Sequence, residues 1–304
     1  MRKKLRRIVS SDPNPHSRAM RFNRGKLRGK LNTTRPVRRG RREPQPRAAL
    51  AEFVGELVFL PNPAMPESTR PEQWRHRMTQ YRIGLLAFPA MTQLDLTGPL
   101  QVFANLPGAE VRVIWKTLDP IQTHGGLRLI PDTTLADCPL LDVICVPGGA
   151  GVMELMDDPE VLSFLRIQAE HARFVGSICT GALVLGAAGL LRGKKATTHW
   201  AWTDLLVPFG AIPTKGRVVR DGKFMTGGGV TAGIDFALTI VAELAGQDVA
   251  ESIQLGIEYA PAPPFDAGSP DTARPELVAS VRAQMAATRV QREARVAKVA
   301  AALA

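Results

Sequence analysis

From Tyr81 onward, short continuous apolar runs alternate with amphipathic stretches of helical period, and this alternation restricts the fold more than any other feature of the chain. Runs of five to eight apolar residues are too short for a buried helix. Separated by helical segments, they read as strands of a mostly parallel sheet covered by helices on its faces. The predicted strands are 82–88, 110–117, 141–146 and 173–178, and the predicted helices are 96–106, 159–171, 180–191, 200–209, 231–244 and 251–259. Asp221-Gly222 lies between 217–220 and 223–226 as a hairpin turn, and Pro261-Ala262-Pro263-Pro264 forces extended chain. Residues 274–304 form an Ala-rich amphipathic helix suited to packing on the body or on a partner subunit.

In such a sheet, ligands collect in the crevice beyond the carboxyl ends of the strands. Three places in the sequence fall there. Asp95 follows the first strand, Gly148-Gly149 follows the strand ending Val146-Pro147, and Cys179 follows the strand from Arg173.

Cys179, in Ser177-Ile178-Cys179-Thr180-Gly181, sits where a strand hands over to a helix. Backbone N–H groups and the positive helix end favour a thiolate there, so Cys179 is a candidate nucleophile. A small buried hydrophobe is the competing reading. Asp95 reads either as a cap for the following helix or as a carboxyl that exchanges a proton with Cys179.

Gly148-Gly149 lacks the Lys-Ser/Thr of a phosphate loop and the dinucleotide-binding spacing, so its expected use is to aim N–H groups at a developing anion, or to make a tight turn. His199 reads as the base of a Cys-His pair or as a packed, hydrogen-bonded side chain. Thr180, Gly228, Gly229, Val230 and Thr231 are candidate pocket walls. Cys138 and Cys145 read as structural, and histidines 16, 76, 124 and 171 form no metal cluster.

The net charge of +11 is unevenly distributed: residues 1–77 hold 20 Lys and Arg against 6 Asp and Glu, which leaves the remainder slightly acidic. The first 77 residues, rich in Arg and Pro without apolar period, are expected to be a disordered basic extension, with only 48–60 as a short helix. An upstream start codon ahead of Met78, or an inert extension, is favoured over a targeting or nucleic-acid-binding arm. No apolar stretch approaches the roughly 18 residues of a membrane span, and three cysteines without ligand spacing point to a reducing cytoplasm.

Several motifs together resemble the ThiJ/PfpI superfamily, and within it the bacterial isocyanide hydratases. They are 92–97 (TQLDLT), 146–149 (VPGG), 177–182 (SICTGA), 196–200 (ATTHW), 227–235 (GGGVTAGID) and 261–270 (PAPPFDAGSP). The elbow and His199-Trp200 also look like the ligand-sensing half of AraC-type regulators. Asp95 in place of the superfamily's more frequent glutamate, with the 261–270 segment, points to the hydratase branch.

The resemblance implies a flavodoxin-like, glutamine-amidotransferase-like α/β domain over 78–304, working as a cytoplasmic homodimer. It implies a hydro-lyase that adds water to a small-molecule isocyanide through a thioimidate on Cys179, with Asp95 carrying protons, Thr180 and Gly148 steadying charge, and no metal, organic cofactor, membrane or specific nucleic acid involved. Thr180 follows Cys179 where protease-like members place histidine, which disfavours a protease-like pair. A deglycase, glyoxalase or protease on the same scaffold is the alternative. A regulator would need a helix-turn-helix pair of about 100 residues, and only 39 follow Phe265.

Overall fold

A computed structural model describes residues 81–303. The expected helix at 48–60 and the rest of the basic extension lie outside the described residues.

The chain runs β1 (Tyr81–Leu86), α1 (Gln93–Phe103), β2 (Ala109–Trp115), β3 (Ile121–Gln122), β4 (Arg128–Leu129), β5 (Thr133–Thr134), β6 (Val143–Val146), α2 (Val152–Leu155), α3 (Pro159–His171), β7 (Phe174–Ile178) and α4 (Gly181–Ala187). It continues through β8 (Lys195–Ala196), a 3-10 helix (Trp200–Phe209), β9 (Ile212–Pro213), β10 (Val218–Asp221), β11 (Phe224–Gly227), α5 (Ala232–Ala245), α6 (Gln247–Gly256), α7 (Pro275–Gln284) and α8 (Ala286–Ala301).

The main sheet has the order β10-β11-β7-β6-β1-β2-β5. Every pairing in it is parallel except β10 with β11, the hairpin read from Asp221-Gly222. The two central strands β6 (VICV) and β7 (FVGSI) are buried at every position, as strands covered on both faces must be. Their register sets Cys145 beside Gly176 and Val146 beside Ser177. At Gly176 a methyl group would overlap the Phe236 ring of α5, so the glycine lets that helix lie directly on the strand.

After β1 the chain builds toward β2 on one side, then crosses back to lay down β6 and β7 on the other. The reversal between β1 and β6 is a topological switch point, and the loops leaving β1, β6 and β7 open into the crevice it creates. Gly148-Gly149 and Cys179 lie on the loops leaving β6 and β7, and Asp95 lies in the first turn of α1, just past the β1 loop.

The structure corrects several expectations. The first helix begins at Gln93 rather than Leu96, which puts Asp95 inside its first turn; the N-cap position is Thr92, which makes no side-chain capping bond. The segment 200–209 is 3-10 rather than α, with Pro208 within it. The expected helix at 251–259 starts at Gln247 and ends at Gly256, and the C-terminal helix is interrupted at Met285. Strands β3, β4, β5, β8 and β9 have only two residues each, too few to leave a periodic signal.

Candidate active site

Cys179 has φ 52, in the left-handed region, which costs a side-chain-bearing residue roughly 1–2 kcal/mol. Its neighbours fix it there. The Cys179 N–H donates to the Gly227 carbonyl at 3.1 Å, and the Thr198 hydroxyl donates to the Cys179 carbonyl at 2.7 Å. Strain held this firmly at a strand-to-helix turn is typical of functional positions. Gly181 completes the elbow, because a Cβ there would overlap the carbonyl oxygen of Val146.

The β1 and β6 loops are tied to the elbow by an interlocking set of bonds. The Gly148 N–H donates to Asp95 Oδ2 at 2.8 Å, and the Thr92 N–H donates to the Gly148 carbonyl at 2.9 Å. The Gly149 N–H donates to Thr180 Oγ1 at 3.0 Å. A Cβ on Gly148 would stand 2.5 Å from the Thr180 nitrogen and 2.9 Å from Asp95 Oδ2, so only glycine lets Asp95 and Thr180 approach one another. The expectation that Gly148 and Gly149 present free donors to an anion is therefore corrected. Their amides hold Asp95 and Thr180 in place, and the donor left facing the sulfur is the Thr180 N–H.

Asp95 has no exposure at all, and burial pushes its carboxyl up to about 7 although the Gly148 N–H and the Cys179 thiol both pull it down. Its second oxygen, Oδ1, is buried with no hydrogen-bond partner among the described residues. Cys179 is 6% exposed. Burial first, and the Asp95 charge second, push its thiol up to about 12, against the Thr180 N–H, the Thr180 hydroxyl and the Arg292 guanidinium, which pull it down. Burial thus opposes the thiolate expected at this elbow. Desolvation of the sulfur outweighs the dipole of a helix only seven residues long. Asp95 and Cys179 each act on the other's pKa, the thiol pulling the carboxyl down and the carboxylate pushing the thiol up.

His199 does not join this pair. Its Nδ1 accepts from the Ala201 N–H at 3.3 Å and caps the 3-10 helix, its ring lies against Trp200, and burial and then Arg292 lower its pKa. The imidazole therefore has a structural partner at Nδ1. Gly229 and Val230 are half-buried beside it, a Cβ on Gly229 falling 3.7 Å from the His199 ring. Thr231 is exposed, and its carbonyl and hydroxyl accept from Arg217, which also pairs with Asp235 at 2.6 Å; it belongs to that surface cluster rather than to the pocket. Cys138, Cys145 and Cys179 are all free thiols. Among the described residues, no three His, Cys, Asp or Glu side chains converge on a metal-sized site, and no helix is long and apolar enough to cross a membrane.

One residue went unread in the sequence. Arg292 of α8 reaches the crevice, is 4% exposed, donates to the Gly149 carbonyl at 3.4 Å and lies 4.3 Å from the centre of the Trp202 ring. Its signal was an arginine in phase with Val296 and Val299, the buried positions four and seven residues on.

Comparison with known proteins places the fold in a family. The chain is 62% identical over 205 residues to the isonitrile hydratase of Pseudomonas putida, covering 67% of this chain and 90% of that protein. It is 30% identical over 181 residues to the HTH-type transcriptional regulator GbdR of Pseudomonas aeruginosa, but spans only 48% of it. Among solved structures, a ThiJ/PfpI family protein from Pseudomonas syringae superimposes with a TM-score of 0.68 at 42% identity, over 79% of this chain and 98% of that one. Toxoplasma gondii DJ-1 shares the fold, with a TM-score of 0.55 at 22% identity over 60% of this chain and 100% of that one. Residues 81–243 match the DJ-1/PfpI family, and with the identity to the Pseudomonas putida relative this makes the chain a member of that family.

Proposed function

We propose that this protein hydrates an isocyanide, R–NC, to an N-formamide through a thioimidate on Cys179, with Asp95 carrying the protons. The observation that carries the reading is the buried pair of a thiol and a raised carboxyl at one crevice, in a chain 62% identical to a protein named isonitrile hydratase.

The terminal carbon of an isocyanide is electrophilic toward soft sulfur. As the S–C bond forms, the thiol proton passes to the Asp95 carboxylate and on to that same carbon, giving R–N=CH–S–Cys179. The Thr180 N–H and hydroxyl, which favour negative charge on the sulfur, support it during the transfer. Water then adds to the carbon; Asp95 accepts a proton from it and delivers that same proton to the nitrogen, leaving R–NH–CH(OH)–S–Cys179. Collapse expels the sulfur, which recovers its proton, and releases R–NH–CHO. One water is consumed, no electrons are gained or lost, and the sequence of steps calls on no metal or organic cofactor.

Gly229 and Val230 serve as walls for the R group. The family resemblance, together with the exposed Leu255 and Phe265, supports a homodimer, and three free cysteines support a cytoplasmic setting. Residues 1–77 stand outside the catalytic domain.

The test is incubation with cyclohexyl isocyanide, chromatography of the product and intact-mass analysis of the protein during turnover. The expected result is the N-formamide, with the substrate mass added at Cys179 and both signals lost in Cys179→Ala. Absence of formamide alongside lactate formation from methylglyoxal would replace the hydratase reading with a glyoxalase one.

A further inference from the structure

A guanidinium has five N–H donors and a charge that is costly to bury without a counter-ion. Arg292 is 4% exposed, yet among the described residues it forms no ion pair with a carboxylate. Its Nε is buried without a hydrogen-bond partner, its one hydrogen bond is the 3.4 Å contact with the Gly149 carbonyl, and its flat face rests on Trp202. The helix carrying it is clamped on both sides of this position: Arg289 pairs with Asp204, and Arg295 and Lys298 pair with Asp157. Val296 and Val299 bury the same face. The charge is therefore held in place by its helix and left without a resident anion.

Gly149, which Arg292 touches, is bonded through its own amide to Thr180, the residue next to the nucleophile. The ionisable groups facing this corner are Cys179 on the elbow, Asp95 on α1 with Cys145 beneath it on β6, and His199 ahead of the 3-10 helix. Asp95 is already bonded to Gly148, and His199 caps the 3-10 helix. Of these, the sulfur is the group that becomes anionic when its proton leaves.

We propose that Arg292 is a positioning residue whose charge is the counter-ion for the Cys179 sulfur as it loses its proton, so that the C-terminal helix supplies an electrostatic part of the active site. The proposal rests on the reading of Cys179 as nucleophile. The same guanidinium draws down the thiol of Cys179 and is itself favoured by the sulfur's charge. The fixed cation acts as the sulfur loses its proton, when among the described residues Arg292 is the positive side chain that favours its charge.

The test reads the sulfur itself, without turnover: the rate of Cys179 alkylation by iodoacetamide, followed by intact mass between pH 7 and 9 in the full-length protein. Arg292→Met is expected to slow alkylation about tenfold at every pH, equivalent to one pKa unit on the thiol. Arg292→Lys, which keeps the charge, is expected to stay within about threefold of the parent. Arg292→Gln keeps a donor for the Gly149 carbonyl without the charge and should be slowed like the methionine variant, which preserves the test should that variant not fold. Arg295→Gln, which removes one outer ion pair while Arg289–Asp204 and Lys298–Asp157 still hold the helix, should leave the rate unchanged.

Neutral variants that react at the parental rate or faster would mean that Arg292 merely closes the site, and would overturn the proposal. So would a lysine variant as slow as the neutral ones. Because alkylation needs no isocyanide, a missing hydratase activity and a missing effect of Arg292 are separate outcomes.

Discussion

Asp95 and Gly148 hold each other across the crevice: the glycine N–H occupies one carboxyl oxygen at 2.8 Å and leaves the other, Oδ1, buried and unbonded among the described residues. One oxygen anchors the acid while the other is available to exchange protons, with burial holding the group at about 7, near the pH at which it must work. Raised above its ordinary value, Asp95 is protonated below about pH 7 and cannot accept the thiol proton there. The expected profile of kcat/KM for an isocyanide therefore rises with pH through about 7. Asp95→Asn is expected to lose 10²–10⁴-fold in kcat/KM together with this limb, measured as formamide formation from pH 5.5 to 8.5.

The same shift makes Asp95 a burden on the fold at neutral pH. Between its ordinary value near 4 and about 7, the unfolded chain has released this proton while the folded protein keeps it, so stability falls as pH rises across that window. Asn retains an acceptor for the Gly148 N–H and has no charge to bury. Thermal melting should show Asp95→Asn more stable than the parent at pH 8, by an amount on the order of a few kcal/mol, and the difference should shrink toward zero at pH 4.5. An equal difference at both pH values would mean that burial does not strain the carboxylate.

Gly148 tests whether the loop after β6 holds the site together. A methyl group there meets the Thr180 backbone nitrogen at 2.5 Å, where no flexible side chain can yield. Gly148→Ala is expected to cost at least 1–3 kcal/mol by overpacking. It should also lower kcat by more than tenfold, because it displaces Asp95, which carries the proton, and Thr180, the residue next to the nucleophile. A variant with parental kcat and only a lower melting temperature would limit Gly148 to packing.

The central architecture was legible because its signal is strong. VICV and FVGSI are continuous apolar runs, and a strand buried on both faces offers few other interpretations. Gly148-Gly149 and Cys179 were legible for the same reason, since they follow these strands closely, whereas Asp95 lies farther along from β1, in the first turn of α1. What the sequence hid was burial around polar groups. Helix polarity at the elbow suggested a thiolate, but burial of Cys179, which pushes its thiol up, is set by the tertiary packing around it. Arg292 escaped notice because an Ala-rich C-terminal helix is already explained by packing, and its single polar residue on the inner face is visible only once that face is known. Likewise, the amides of Gly148 and Gly149 are spent on Asp95 and Thr180, a pairing that crosses 53 and 31 residues of chain.

His199 distinguishes capping from base catalysis. In the structure its Nδ1 receives the Ala201 N–H, a role that asparagine performs as well as any residue at a helix N-terminus, whereas a general base contributes 10²–10⁴-fold and asparagine cannot replace it. His199→Asn should therefore keep kcat within about threefold of the parent, and His199→Ala should lower stability by about 1 kcal/mol through loss of the cap. Because burial and then Arg292 lower the imidazole pKa, His199 titrates below its ordinary value, and neither variant should move the limb near pH 7 assigned to Asp95. A hundredfold loss in His199→Asn, or a shifted limb, would return His199 to the catalytic group and make Asp95 its partner rather than the proton carrier.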